Sequence, residues 1–203
     1  MLRATLSAFV LLTLVACGKA PNPSTATQES QSDGWLTYED DMFRAKYPPN
    51  SEVFGAKDSK QDPANPSFGI IPPPAAGNTV IGAFTIQPDK SSQGMLLRDG
   101  VEAAIRKAKG ERGIVLSPPK EIGVANGRCL GAIVITPTTS CEKGTGSCFS
   151  PIFSMLCDGQ NGARYTASTV LSSSASRDRL SPQAQQEAAT YERILRSLEF
   201  KKS

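Results

Sequence analysis

The side chains able to do chemistry are five cysteines (Cys17, Cys129, Cys141, Cys148 and Cys157), the run Ser172-Ser173-Ser174-Ala175-Ser176, and the adjacent acids Asp40 and Asp41. No histidine occurs among the 203 residues. That absence excludes Ser-His-Asp and Cys-His nucleophilic systems, histidine-ligated zinc and a histidine proton shuttle. The serine run has no Gly-x-Ser-x-Gly elbow and no Ser-x-x-Lys dyad, so it reads as a polar loop. Adjacent acids at a hairpin tip point apart into water and do not make a glycosidase pair. Gly110, Gly113, Gly123 and Gly127 fall outside any Gly-x-x-x-x-Gly-Lys-Ser/Thr pattern, so no phosphate loop is expected. No catalytic residue, metal site or cofactor is assigned.

The cysteines divide by position. Arg3 followed by the apolar stretch 4–16 has the layout of a signal peptide, too short for the roughly 20 helical residues that cross a bilayer. It ends in Leu14-Val15-Ala16-Cys17, which resembles the lipobox of bacterial lipoproteins. The resemblance implies cleavage between Ala16 and Cys17 and acylation of Cys17, with palmitate among the chains. It makes residues 1–16 the signal peptide. One acyl chain holds only marginally, at about 0.8 kcal/mol per buried CH₂, whereas two or three hold firmly. Gly18, standing where aspartate would imply inner-membrane retention, favours the outer membrane, facing the periplasm. Residues 17–33 are rich in Pro, Ser, Thr and Gln and are expected to form a lipidated, disordered tether. A single globular domain should occupy 34–203.

With Cys17 assigned to lipid, four cysteines remain, an even set suited to an oxidising compartment. Opposed residues of an antiparallel hairpin keep a nearly constant sum of residue numbers. Cys129 with Cys157, and Cys141 with Cys148, agree to within three, as one hairpin with a slip at its tip would require. Nested bridges are therefore expected, with Ile133 opposite Phe153. A four-cysteine zinc site would need Cys-x-x-Cys pairs, and there are none.

The elements that must carry these residues are mostly strands. Trp35 to Glu39 and Met42 to Tyr47 flank Asp40-Asp41 as a hairpin, and Phe43, Ala45 and Tyr47 alternate with Arg44 and Lys46. Further strands are expected at Phe68 to Ile71, Thr79 to Gln87, Ile114 to Ser117, Glu121 to Ala125, Arg128 to Thr136, Phe149 to Cys157 and Ala163 to Leu171. Asn126-Gly127 supplies a two-residue turn. Asp99 and Glu102 form a capping box ahead of a helix with the stripe Val101, Ala104, Ile105 and Ala108, stopped by Gly110. Ser181 and Pro182 open a second helix carrying Ala184, Ala188, Tyr191, Leu195 and Leu198. Clustered strands with few interleaved helices predict an α+β fold with a central, mostly antiparallel sheet. Trp35 reads as a core or edge anchor.

The pattern Tyr38, Asp40, Phe43, Tyr47, Pro48, and the ending Ile194, Leu195, Ser197, Leu198, Phe200, resemble the two ends of PsbP/Mog1-like domains. The resemblance implies an α/β/α sandwich over roughly residues 35–200. It also implies a binding or accessory role, since these are packing positions and carry no chemistry. Lys and Arg total 22 against 19 acids, dispersed along the chain, which excludes a nucleic-acid surface. The expected function is that of a membrane-anchored, non-enzymatic module for an envelope protein partner. The alternative is a small-ligand carrier or enzyme with an unrecognised pocket.

Overall fold

Phe43, Ala45 and Tyr47 point inward and are buried, while Arg44 and Lys46 stand at the surface. That alternation defines strand β2 (Phe43–Tyr47), which pairs with β1 (Leu36–Glu39) across the Asp40-Asp41 turn. Asp40 builds the turn. Its Oδ1 accepts the amides of Met42 and Phe43 at 2.8 and 3.0 Å, and Tyr38 donates its hydroxyl to Oδ2. The computed structural model describes residues 34–55, 68–73, 83–110, 112–138, 148–159, 162–172 and 176–201.

The next elements are β3 (Glu52–Phe54), β4 (Phe68–Ile71) and β5 (Phe84–Pro88), followed by α1 (Leu97–Gly110), β6 (Ile114–Val115) and β7 (Lys120–Val124). Two long strands, β8 (Gly127–Thr138) and β9 (Cys148–Gly159), form the central hairpin. Then come β10 (Arg164–Val170), α2 (Pro182–Arg196) and β11 (Glu199–Phe200). The fold is α+β and its strand pairings are antiparallel, apart from one parallel bridge between Ala125 and Glu199.

In place of one central sheet there are two: β3-β4-β5-β10-β9-β8-β6, with β7 also on β8, and a small sheet β1-β2-β11. Short β11 follows α2 directly and pairs with β2, Phe200 opposite Phe43. The Ala125 peptide stitches the sheets together. Its amide donates to Leu198 O, and it accepts from Phe200 N.

The large sheet has two faces of different character. Odd-numbered residues of β8 and β9, among them Cys129, Phe153, Met155 and Cys157, face a core shared with Phe84, Tyr191, Ile194, Leu195 and Leu198. Tyr191 of α2 stacks on Phe84 at 5.1 Å between ring centroids. On the other face α1 sits over Leu130 and Leu156, through Leu97, Val101 and Ile105. The helices therefore cover opposite faces.

Several boundaries depart from the sequence reading. Asp99 does not cap α1. The helix begins at Leu97, and Gly100 N already donates to Leu96 O, because the preceding turn is held by other contacts described below. Gly110 does not stop it alone: Arg112 takes φ 64° and Gly113 N returns to Ala108 O. The turn read as Asn126-Gly127 is shifted one residue. Val124 pairs with Gly127, Asn126 takes φ 60°, and Gly127 is a strand residue whose Cβ would strike Asp158 O. Leu198 lies beyond the end of α2 yet is fully buried. Strands β3 and β11 lie outside the segments that the sequence marks as strands. Part of the strand expected at Thr79 to Gln87 lies outside the described residues.

Candidate functional site

The side-chain packing of helix α1 is concentrated at its N-terminal end. Its buried residues, Leu97, Gly100 and Val101, all lie in the first turn and a half. From there the facing residues become small: Ala104 and Ala108 on the helix, Ala132 and Ser154 on the sheet. Protein interiors are ordinarily close-packed. Here the small side chains leave an open groove of about 210 Å³, walled by Val101, Ile105, Val134, Ile152 and Leu156, with Thr136 and the stem of Lys107 at its margin. A second groove, of about 270 Å³, runs along the other flank of α1 beside Pro118, Pro119 and Leu130. The helix thus lies as a ridge between two clefts. Its outward surface carries Arg98, Arg106, Lys107 and Lys109 against Asp99 and Glu102.

The turn leading into α1 is braced from beneath by Arg164, which the sequence reading passed over. Its guanidinium is 7% exposed and pairs with Asp158 at 2.5 Å, and it donates to Ser92 O, Ser92 Oγ and Met95 O at 3.3, 3.3 and 2.9 Å. Above it, Asp89 accepts the amides of Ser91 and Ser92 and both their hydroxyls. Partial burial alone would raise the Asp89 carboxyl, but donation from Ser91 and Ser92 outweighs it and holds it below the usual range. This turn presents Met95 and Leu96 to water.

Of the residues singled out from the sequence, Cys129 and Cys157 are directly opposed on β8 and β9. They form a fully buried disulfide, with Cα atoms 4.0 Å apart. Ile133 stands opposite Phe153. The ladder keeps this register through Thr138 opposite Cys148, so the slip expected at the tip does not occur within it. The Cys148 backbone ends the ladder. Its side chain, Cys141 and the proposed bridge between them lie outside the described residues, as do Ala16 and Cys17.

Ser172 is buried and acts as a structural link. Its amide and hydroxyl donate to Glu187 at 2.6 and 2.5 Å, tying the backbone just after β10 to α2. Nearby, burial chiefly, and then the Glu187 carboxylate, push the Tyr191 phenol up to about 12, partly offset by a side-chain hydrogen bond with Thr169. Trp35 is half-buried with the Arg193 guanidinium 3.9 Å above its ring.

Among the described residues no group of three or more Cys, Asp or Glu is placed to hold a metal ion, and no helix is long and apolar enough to cross a membrane. No protein-family model, curated protein or solved structure matches the chain. The site is therefore defined by its own geometry: an apolar cleft beside a basic helix, next to a stiff turn bearing two exposed apolar side chains.

Proposed function

We propose that the chain is a bacterial envelope lipoprotein whose domain binds a protein partner and catalyses no reaction. In this reading Cys17 carries the acyl chains after cleavage at Ala16, in the outer membrane facing the periplasm. The domain follows the PsbP/Mog1-like plan. Two features support that plan: helices lie on both faces of the large sheet, and the two motifs of the resemblance adjoin in space. Lys46 N donates to Ser197 Oγ at 2.8 Å, and Phe43 pairs with Phe200. The buried Cys129–Cys157 bridge supports an oxidising compartment.

The observation that carries the binding role is the groove between α1 and the sheet. An apolar cavity of about 150 Å³ is enough to admit a benzene-sized molecule. A groove of about 210 Å³ accommodates one or two aliphatic side chains of a partner. Fully burying one such side chain contributes about 1.5–3 kcal/mol, the scale of an interface anchor. Lys107 and Lys109 would then meet acidic residues at the partner's rim.

The test replaces Ala104, which lines the groove but is exposed, with tryptophan, and compares partner capture from the native envelope with wild type and Ala104→Ser. Ala104→Trp should weaken a reproducible partner at least about tenfold, equivalent to 1.4 kcal/mol, while Ala104→Ser leaves it unchanged. Undiminished capture by Ala104→Trp would refute the assignment of the groove. A small apolar molecule released from wild type but not from Ala104→Trp would replace the partner with a carried ligand.

A further inference from the structure

The large apolar side chains standing most in water among the described residues are Leu96 at 72%, Met95 at 50% and Val170 at 38%. Two are neighbours at the entry to α1. Exposed apolar residues are common singly, but here an adjacent pair sits on a turn that is held from below. Arg164 grips the carbonyls of Ser92 and Met95, Asp89 gathers Ser91 and Ser92, and Leu97 is buried immediately after the pair. A turn so fixed loses little conformational entropy on contact, so most of the burial of its apolar atoms is available as binding.

The charge balance along this stretch is modestly basic: Lys90, Arg98, Arg106, Lys107 and Lys109 stand against Asp89, Asp99 and Glu102, and Glu102 pairs with Arg106. Two exposed apolar tips at the head of a helix with excess positive charge suit the interface of an anionic bilayer, where a nearby unpaired basic residue contributes about 1 kcal/mol. The chain also brings such a surface within reach. From Cys17 to Gly34 the backbone can extend at most about 60 Å. A domain of this length has a radius of gyration of roughly 15 Å, so its far side is only about 40 Å from its near side. Any face can meet the membrane that holds the anchor.

We propose that Met95 and Leu96 dip into the headgroup region of the bilayer in which the acylated Cys17 is anchored, laying the entry to α1 against the lipid. This rests on the lipid-anchor reading and adds an orientation to it. The groove beside α1 then opens close to the membrane surface.

The experiment uses the full acylated chain in vesicles of phosphatidylethanolamine and phosphatidylglycerol, with bromine on the acyl chains as quencher. Trp35 is the sole native tryptophan, so wild type gives the background. Leu96→Trp, at a solvent-facing position, should add emission that falls by about half or more with brominated lipid, the depth expected for a contact buried 5–10 Å. The added emission should recover when Lys90 and Arg98 are both changed to glutamate. Vesicle flotation and the mass of the N-terminal peptide report the anchor separately. An acylated protein that floats while the added tryptophan stays unquenched overturns the orientation and leaves the anchor reading standing. A chain with unmodified Cys17 that does not float removes both. Loss of a protein cross-link in Leu96→Asp, without lipid quenching, overturns the proposal in favour of a protein contact.

Discussion

Replacing Arg164 with methionine tests whether the turn before α1 is held by the buried guanidinium or would form without it. Methionine retains an apolar stem and removes the charge. Four donations disappear, but they are unequal: those to Ser92 O and Ser92 Oγ are 3.3 Å long and contribute little, whereas those to Asp158 and Met95 O are short. Breaking a fully buried ion pair costs about 3–5 kcal/mol. Asp158 is 32% exposed, so water recovers part of its loss, and the expected total is about 2–3 kcal/mol. The loss should be local first. Native-state hydrogen exchange should show the amides of Ser91, Ser92 and Met95 opening well below the global unfolding free energy, with β8 and β9 following only the global change. Asp158→Asn combined with Arg164→Met should cost less than the two separately. If Arg164→Met costs under about 1 kcal/mol and these amides keep their protection, the turn is not held by Arg164.

Further outcomes follow from the same contacts. Replacing Cys129 and Cys157 together with alanine frees a loop of sequence separation 28 in the unfolded chain and should lower stability by about 3–4 kcal/mol in denaturant titration. Gly131→Ala would bring its Cβ to 2.1 Å from Ser154 O and 2.6 Å from Met155 Cα, both backbone of the facing strand, and should cost about 1–3 kcal/mol or more by thermal melting. Burial holds the Tyr191 phenol at about 12, above its unfolded value of 10.0. Its contribution to stability is therefore complete below pH 10 and lost as pH rises through about 12, and tyrosinate absorbance should show Tyr191 ionising after the midpoint expected of a free phenol. Asp89 is lowered from 3.8, so it stabilises the turn above that pH and releases it as pH falls through its lower folded value, seen as faster exchange at Ser91 and Ser92.

What was legible beforehand was local or periodic. The central hairpin could be read because its strands are long and carry two cysteines whose numbers obey the antiparallel register, and Cys129 does stand opposite Cys157. The start of α2 could be read because Ser181 and Pro182 are its cap and first residue, with Ala184 N donating to Ser181 Oγ. The features that escaped depend on partners distant in sequence. Nothing around Ala125 announces that its peptide will hold Leu198 and Phe200, and that contact displaces the turn and joins two sheets. The capping box at Asp99 was a sound local pattern overridden by Arg164, 65 residues away in the numbering. The groove was illegible for a similar reason. Ala104 and Ala108 look like ordinary stripe residues until Ala132 and Ser154 are known to lie beneath them.

The two helices, nearly equal in length, differ in a way that supports the binding role proposed for the α1 side. In α2 the buried positions run from Ala184 through Tyr191 and Ile194 to Leu195, so packing is spread along its axis. In α1 they stop at Val101, and Ile105 and Ala108 are only half-buried. Most of the apolar burial that seats α1 is therefore concentrated at its first turn, where Arg164 fixes the adjoining backbone. At its other end α1 is held through backbone: Gly113 N donates to Ala108 O, and β6 follows at once, paired with β8. The clefts on either flank lie between these two fixed ends, on the face of the sheet away from the disulfide-linked core. In the proposed reading the fixed ends orient α1, and the small side chains between them, Ala104 and Ala108 over Ala132 and Ser154, leave the room that a partner's side chain would fill.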